Sequence, residues 1–143
     1  QAAEYDMPED NKESMPDQYK TVSLEEFVEY SKSMFAYWTE DDFASSFRKM
    51  LTIEQFRSEE MQGLYQQYLS SGPAAYVKDL FESMGIAHAE ENAVRFYATM
   101  YFYYSVYDGA DDKEKVKNEF ASAIGSMAQE WIKQPKLTQI RKS

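Results

Sequence analysis

From Val94 to Tyr107 the chain carries a single charge, Arg95. Phe96, Tyr97, Met100, Tyr101, Phe102, Tyr103, Tyr104, Val106 and Tyr107 surround the axis that a helix would have here. A helix on the surface of a globular domain keeps one polar face. This segment has none, so it needs cover on several sides, from its own chain or from another. The rest of the fold must wrap such a helix. The supply of rings is adequate: there are 12 Tyr and 9 Phe residues in 143, spaced too closely to be scattered surface residues. With 5 Gly and 4 Pro, a many-turned β fold lacks its punctuation.

Helical spacing of apolar residues recurs along the chain, and no segment alternates as a strand does. Ser23 stands three residues before Glu26, the spacing of a capping box. Leu24, Phe27, Val28, Met34, Phe35 and Trp38 follow at helical intervals, with Ser31 on the same stripe. Thr39 is expected to cap a second helix bearing Phe43, Phe47, Met50 and Leu51. Ser58 caps a third, with Glu59 and Glu60 where the helix dipole favours acids. Its stripe is Met61, Leu64, Tyr65, Tyr68 and Leu69.

Gly72-Pro73 breaks the chain, and Pro73 suits the first position of a fourth helix, which stops at Gly85. A fifth runs from Ala89 to Tyr107. A sixth runs from Lys113 to Lys133 with Val116, Phe120, Ile124, Met127 and Trp131 on one face. The expectation is an all-α, six-helix orthogonal/antiparallel bundle over residues 23–134. Residues 1–22 read as a flexible acidic linker, and residues 135–143 as a frayed basic tail.

Charge restricts the partners. The formal net charge is −10, from 25 acidic and 15 basic residues. Binding duplex DNA takes several Lys or Arg contacts to phosphate, so this surface is wrong for direct contact with nucleic acid or an anionic membrane. No apolar run has transmembrane length. There is no cysteine, which removes disulfides, thiolate metal sites and a thiol nucleophile, and fits a reducing, cytoplasmic setting. The opening Gln1-Ala2-Ala3-Glu4 has no initiator Met and no signal-peptide core. It reads as the start of a fragment or of a trimmed or processed chain.

The residues offer little for catalysis, and no enzyme activity is expected. His88 is the lone histidine. Its neighbours Glu90 and Glu91 do not converge with it on one helix face, so no metal site is assigned and His88 reads as a solvated residue near a helix start. No Gly-x-Ser-x-Gly elbow, phosphate loop or dinucleotide fingerprint is present. Asp108-Gly109-Ala110-Asp111-Asp112 lacks the ligand spacing of a calcium loop. No cofactor is expected.

Binding and association are better supported. Met34, Trp38, Phe47 and Met50 from the first two helices, with Tyr65, Tyr68 and Phe81, are candidates to line an apolar effector pocket. So are Arg95, Phe96, Tyr97 and Met100 from the fifth helix, Arg95 either as anchor for a carboxylate or a ring or as a residue that snorkels or pairs with a nearby acid. Methionine makes such a lining adaptable. The expected ligand is a small apolar or amphipathic effector. The sixth helix also carries a line of small residues, Ala121, Gly125 and Ala128. A mid-helix Gly costs roughly 1 kcal/mol against Ala, so Gly125 asks for a packing reason. Packing within the chain is one reading. The other is a two-fold seam between copies, built from helices five and six with Tyr101 and Tyr104, a four-helix arrangement across a homodimer.

The segment Phe47-Arg48-Lys49-Met50-Leu51-Thr52-Ile53-Glu54-Gln55-Phe56-Arg57-Ser58-Glu59-Glu60-Met61 is followed by Leu64-Tyr65, Tyr68, Gly72-Pro73 and Tyr76, and later by Ala93-Val94-Arg95-Phe96-Tyr97-Ala98. Together these resemble the C-terminal domain of TetR/AcrR-like bacterial transcriptional regulators, over roughly residues 23–133. The resemblance implies a helical body that binds a small effector and dimerises through its last two helices. It also implies operator binding through an N-terminal helix-turn-helix, a head for which residues 1–22 show no pattern. On that basis the chain is expected to be the ligand-sensing and dimerisation domain of such a regulator, with DNA a partner only through the absent head. The rival expectation is a stand-alone helical protein-interaction module.

Overall fold

The computed structural model of this chain describes residues 22–133. The expected acidic linker and basic tail therefore lie outside the described residues, apart from Val22. The described residues are all-helical, with no strand among them. In chain order the helices are α1 (Leu24–Glu40), α2 (Asp42–Glu54), α3 (Glu59–Leu69), α4 (Ser71–Ser83), α5 (Ala89–Gly109) and α6 (Lys113–Lys133).

The helix starts follow from local chemistry. Ser23 and Glu26 form the reciprocal capping box, with bonds of 2.9 and 3.0 Å that satisfy two orphan backbone donors. Ser58 Oγ accepts from the Met61 amide at 3.1 Å to start α3. The cap of α2 differs from expectation. Thr39 is buried in the last turn of α1, where its hydroxyl donates to the Phe35 carbonyl at 2.7 Å. Asp41 caps α2 instead, its carboxylate accepting from the Ala44 amide at 2.9 Å. Thr39 lies within α1 with its hydroxyl turned back along that helix, away from the first amides of α2, and Asp is the stronger cap in any case.

The joint between α3 and α4 is tighter than the sequence implies. Helix α4 begins at Ser71, so Pro73 lies within its first turn rather than at its first position. A Cβ on Gly72 would collide with the backbone carbonyl of Gln67, so only glycine fits. At the other end of α4, Gly85 adopts φ 77° and the Ile86 amide bonds back to the Phe81 carbonyl at 3.0 Å. That is a left-handed helix stop of the Schellman kind.

Two ring clusters hold the core. Phe27 lies 5.1 Å from Phe81 and 5.0 Å from Phe96, while Phe81 lies 4.6 Å from Trp131. Farther along α1, Phe35 is sandwiched between Phe120 at 4.3 Å and Tyr104 at 5.6 Å, both stacked. Each such pair contributes about 0.5–1.5 kcal/mol beyond the area it buries. These contacts also fix direction. Phe27 meets the end of α6 and Phe35 its middle, so α1 runs antiparallel to α6 and alongside α5 in the same sense. Helix α5 packs against α4 on one side, α6 on the other and α1 beneath.

Candidate functional site

The most tightly organised polar group is centred on Arg48. It lies on the buried stripe of α2 with Ala44 and Leu51. Its guanidinium reaches α5 and makes a bidentate pair with Asp108, at 3.0 and 2.8 Å. Its Nε donates to the Trp38 carbonyl at 3.0 Å, one of the carbonyls that the end of α1 leaves without a helical partner. The guanidinium also lies 4.9 Å from the centre of the Tyr104 ring. A buried charge has to be paired in this way or it unfolds its surroundings. Arg48 therefore ties the ends of α1 and α5 to α2.

A seam of tyrosines runs beside this latch, where α3 crosses α5. The Tyr65 and Tyr101 hydroxyls share a hydrogen bond, and the Tyr65 hydroxyl also bonds the Gln55 side chain. Tyr97 donates to the Leu69 carbonyl at 2.6 Å. Burial, reinforced by Tyr101, pushes the Tyr65 hydroxyl up to about 12. Burial raises Tyr97 and Tyr104 further still, with the nearby Arg48 charge pulling the other way on both. These hydroxyls stay neutral throughout the physiological range and act as hydrogen-bonding groups, not as acids or bases.

The residues assigned to an effector pocket fall in four places. Phe81 and Phe96 are sealed in the ring cluster with Phe27 and Trp131. Trp38, Tyr65, Tyr97 and Met100 are buried around the latch and the tyrosine seam, with Met34 partly buried against the core. Phe47 and Tyr68 are half-buried between α2 and α3, their rings 5.6 Å apart and edge to face, and Met50 is exposed on α2. Arg95 stands apart: it points outward and pairs with Glu91 at 2.8 Å, both side chains being largely exposed. Of the two readings of Arg95, this placement is the pairing with a nearby acid. Helix periodicity puts position 95 on the outer side of α5, one turn from Glu91.

The residues assigned to a dimer seam also divide. Tyr104 is buried inside the chain against Phe35, and Ala128 is buried too, so neither presents a surface to a second copy. Tyr101 is exposed, while Ala121 and Gly125 are partly exposed. Among the described residues, no atom beyond the helix's own backbone and the two chain neighbours lies near the place where a Cβ of Gly125 would project. Close packing against the described residues is therefore not the reason for this glycine.

The outward face of α5 completes the picture. Val94 is 53% exposed, Phe102 60% and Tyr101 36%, with Ala98 and Ser105 exposed between them. The aromatic segment is thus covered by α1, α4 and α6 on its inner sides and carries apolar side chains on its outer one, beside the exposed Glu91–Arg95 pair. Sequence reasoning missed Arg48 and Asp108. The signal was an arginine on the apolar stripe of α2, a position that requires a buried partner.

Elsewhere, an open depression of about 660 Å³ is lined by Lys78, Glu82, Ile86, His88, Ala89, Glu90 and Glu91. It shares no residue with the assigned pocket. His88 sits there in a left-handed conformation, φ 53°, at the start of α5. Among the described residues no group of three or more His, Asp or Glu side chains is placed to hold a metal ion, and no helix is long and apolar enough to cross a membrane. No family model matches the chain, and comparisons with curated proteins and with solved structures find no match.

Proposed function

We propose that this domain is the self-associating, effector-responsive body of a TetR-like transcriptional regulator, with operator DNA bound by a separate part of the regulator. The observation that carries the reading is the outer face of α5. Val94, Ala98, Tyr101 and Phe102 form an apolar strip on a helix whose inner sides are already covered. Two copies that each carry −10 repel over most of their surfaces. Between Val94 and Phe102 the only charge is Arg95, which pairs with Glu91 so that the two sum to zero, so this face is where the copies can come together. Helix α6 lies beside α5, so a two-fold contact there brings four helices together.

The effector half of the proposal draws on the region where α2 and α3 meet α5. Trp38, Phe47, Tyr65, Tyr68 and Met100 there combine apolar walls with hydroxyls that orient a ligand. The hydrogen bond between the Tyr65 and Tyr101 hydroxyls joins that region to the α5 face. A ligand that binds one arrangement of these helices better than another shifts the dimer between states by its differential affinity.

The test is sedimentation of the wild type and of Phe102→Glu at matched concentrations. The wild type is a dimer on this reading, and the variant a folded monomer. A panel of apolar and amphipathic ligands then tests the effector half: a binder raises the melting temperature by mass action.

A further inference from the structure

Helix α5 meets α2 and α3 along one polar stripe. Tyr97, Tyr101, Tyr104 and Asp108 recur at helical intervals and share a face. Tyr97 donates to the Leu69 carbonyl at the end of α3, and Tyr101 shares its hydrogen bond with Tyr65. Farther along, the Tyr104 ring lies under the Arg48 guanidinium, and Asp108 holds that guanidinium in the bidentate pair. The two ring clusters of the core are built differently. Both draw their rings from α1, α4, α5 and α6 alone. Of the residues in α2 and α3, only Ala44, Arg48, Leu51, Tyr65 and Leu69 are buried.

These two helices cohere with each other. Phe47 meets Tyr68 edge to face at 5.6 Å, and Gln62 Nε2 bonds the Gln55 carbonyl at 3.1 Å. Single residues join them to the rest of the chain. Asp41 separates α1 from α2, and Ser70 separates α3 from α4, neither in a helical conformation. Rotation about two such joints moves α2 and α3 without unwinding a helix. Water reaches the edge of the polar stripe, where Tyr101 is 36% exposed and the Asp108 side chain 28%. A hydrogen bond broken there is exchanged for one to water at small net cost, whereas a ring pulled from an apolar cluster finds no such substitute. Few buried apolar contacts and solvent-exposed hydrogen bonds mark a unit that opens more easily than the whole domain unfolds.

We infer that α2 and α3 form a flap that opens from α5 as one unit, with Asp41 and Ser70 as its hinges and the Arg48–Asp108 pair as its latch. Opening uncovers Trp38, Tyr65 and Tyr97, each at most 8% exposed in the closed structure. It is the route by which an effector reaches that region, a role that rests on the effector reading proposed above. The opening itself stands on the contacts alone.

The test is hydrogen exchange of the ligand-free full chain, followed by mass spectrometry, for wild type and Asp108→Asn. Asp108 is partly exposed, and the substitution removes the latch charge while keeping the size of the side chain. In the wild type, protection of the α2 and α3 amides should be about tenfold lower than in the middles of α1, α5 and α6. Asp108→Asn should lower it about tenfold further, while the middles of α1, α5 and α6 keep theirs. Equal protection of all these helices in the wild type overturns the inference. So does an Asp108→Asn variant that weakens every helix alike or leaves α2 and α3 unchanged. Selective exchange of α2 and α3, with no binder in the panel of apolar and amphipathic ligands, overturns the effector reading and leaves the flap standing.

Discussion

Replacing Arg48 tests how this bundle is tied together. In Arg48→Ala the bidentate pair to Asp108 is lost, the Trp38 carbonyl loses its donor, and Tyr104 loses its cation. Removing one member of a buried ion pair costs about 3–5 kcal/mol. Asp108 is partly exposed and can take up water, which lowers that cost. The Trp38 carbonyl, in a buried contact, cannot fully do so, and an unsatisfied carbonyl costs about 1–3 kcal/mol. The expected loss is about 3 kcal/mol. With a urea slope near 1.5 kcal/mol per molar for a chain of this size, the midpoint falls by about 2 M. Arg48→Lys keeps the charge but not the planar fork, so it should lose roughly half as much. The assay is urea unfolding followed by circular dichroism. A loss below about 1 kcal/mol for Arg48→Ala would refute the view that this residue joins α1, α2 and α5.

Three further outcomes follow from the same structure. Tyr97 and Tyr104 titrate well above the ordinary tyrosine value because they are buried. Between pH 10 and the raised values the folded state holds protons that the unfolded state has released, so stability falls as pH rises. By pH 11 the two together should cost about 3 kcal/mol, and a flat stability profile from pH 9 to pH 11 would contradict their burial. Gly72→Ala should lower the melting temperature clearly, because its Cβ meets the Gln67 backbone; an unchanged melt would show that the α3–α4 joint is looser than described. Gly125→Ala should do the opposite in the unassociated chain, stabilising α6 by up to about 1 kcal/mol, since none of the described residues crowds the new methyl group. Destabilisation there, measured on a monomeric variant, would count against that open surface.

Much of the fold was legible in the sequence because its signals are local. The Ser23 and Ser58 caps, the Gly85 stop and the span of α6 each depend on residues within one or two helical turns. Thr39 misled because a hydroxyl that can cap a helix can also bond back within the preceding one, and only the depth of burial decides between them. The site was harder to read for the same physical reason. Arg48 and Asp108 are 60 residues apart, and periodicity shows that Arg48 faces inward without showing what it meets. Tyr104 and Tyr101 look alike in sequence, yet one stacks on Phe35 and the other stands at the surface. On a helix aromatic all round, spacing alone does not reveal which side its own chain covers. Arg95 shows the converse: its outward position follows from Glu91 one turn earlier.

The most direct test of the account is the mass of the domain in solution. Sedimentation equilibrium at about 10 μM should give twice the chain mass of 16.7 kDa for the wild type. It should give the single mass for Phe102→Glu, with an unchanged helical spectrum. A wild type that remains monomeric at about 100 μM, or a Phe102→Glu variant that dimerises as well as the wild type, would contradict it.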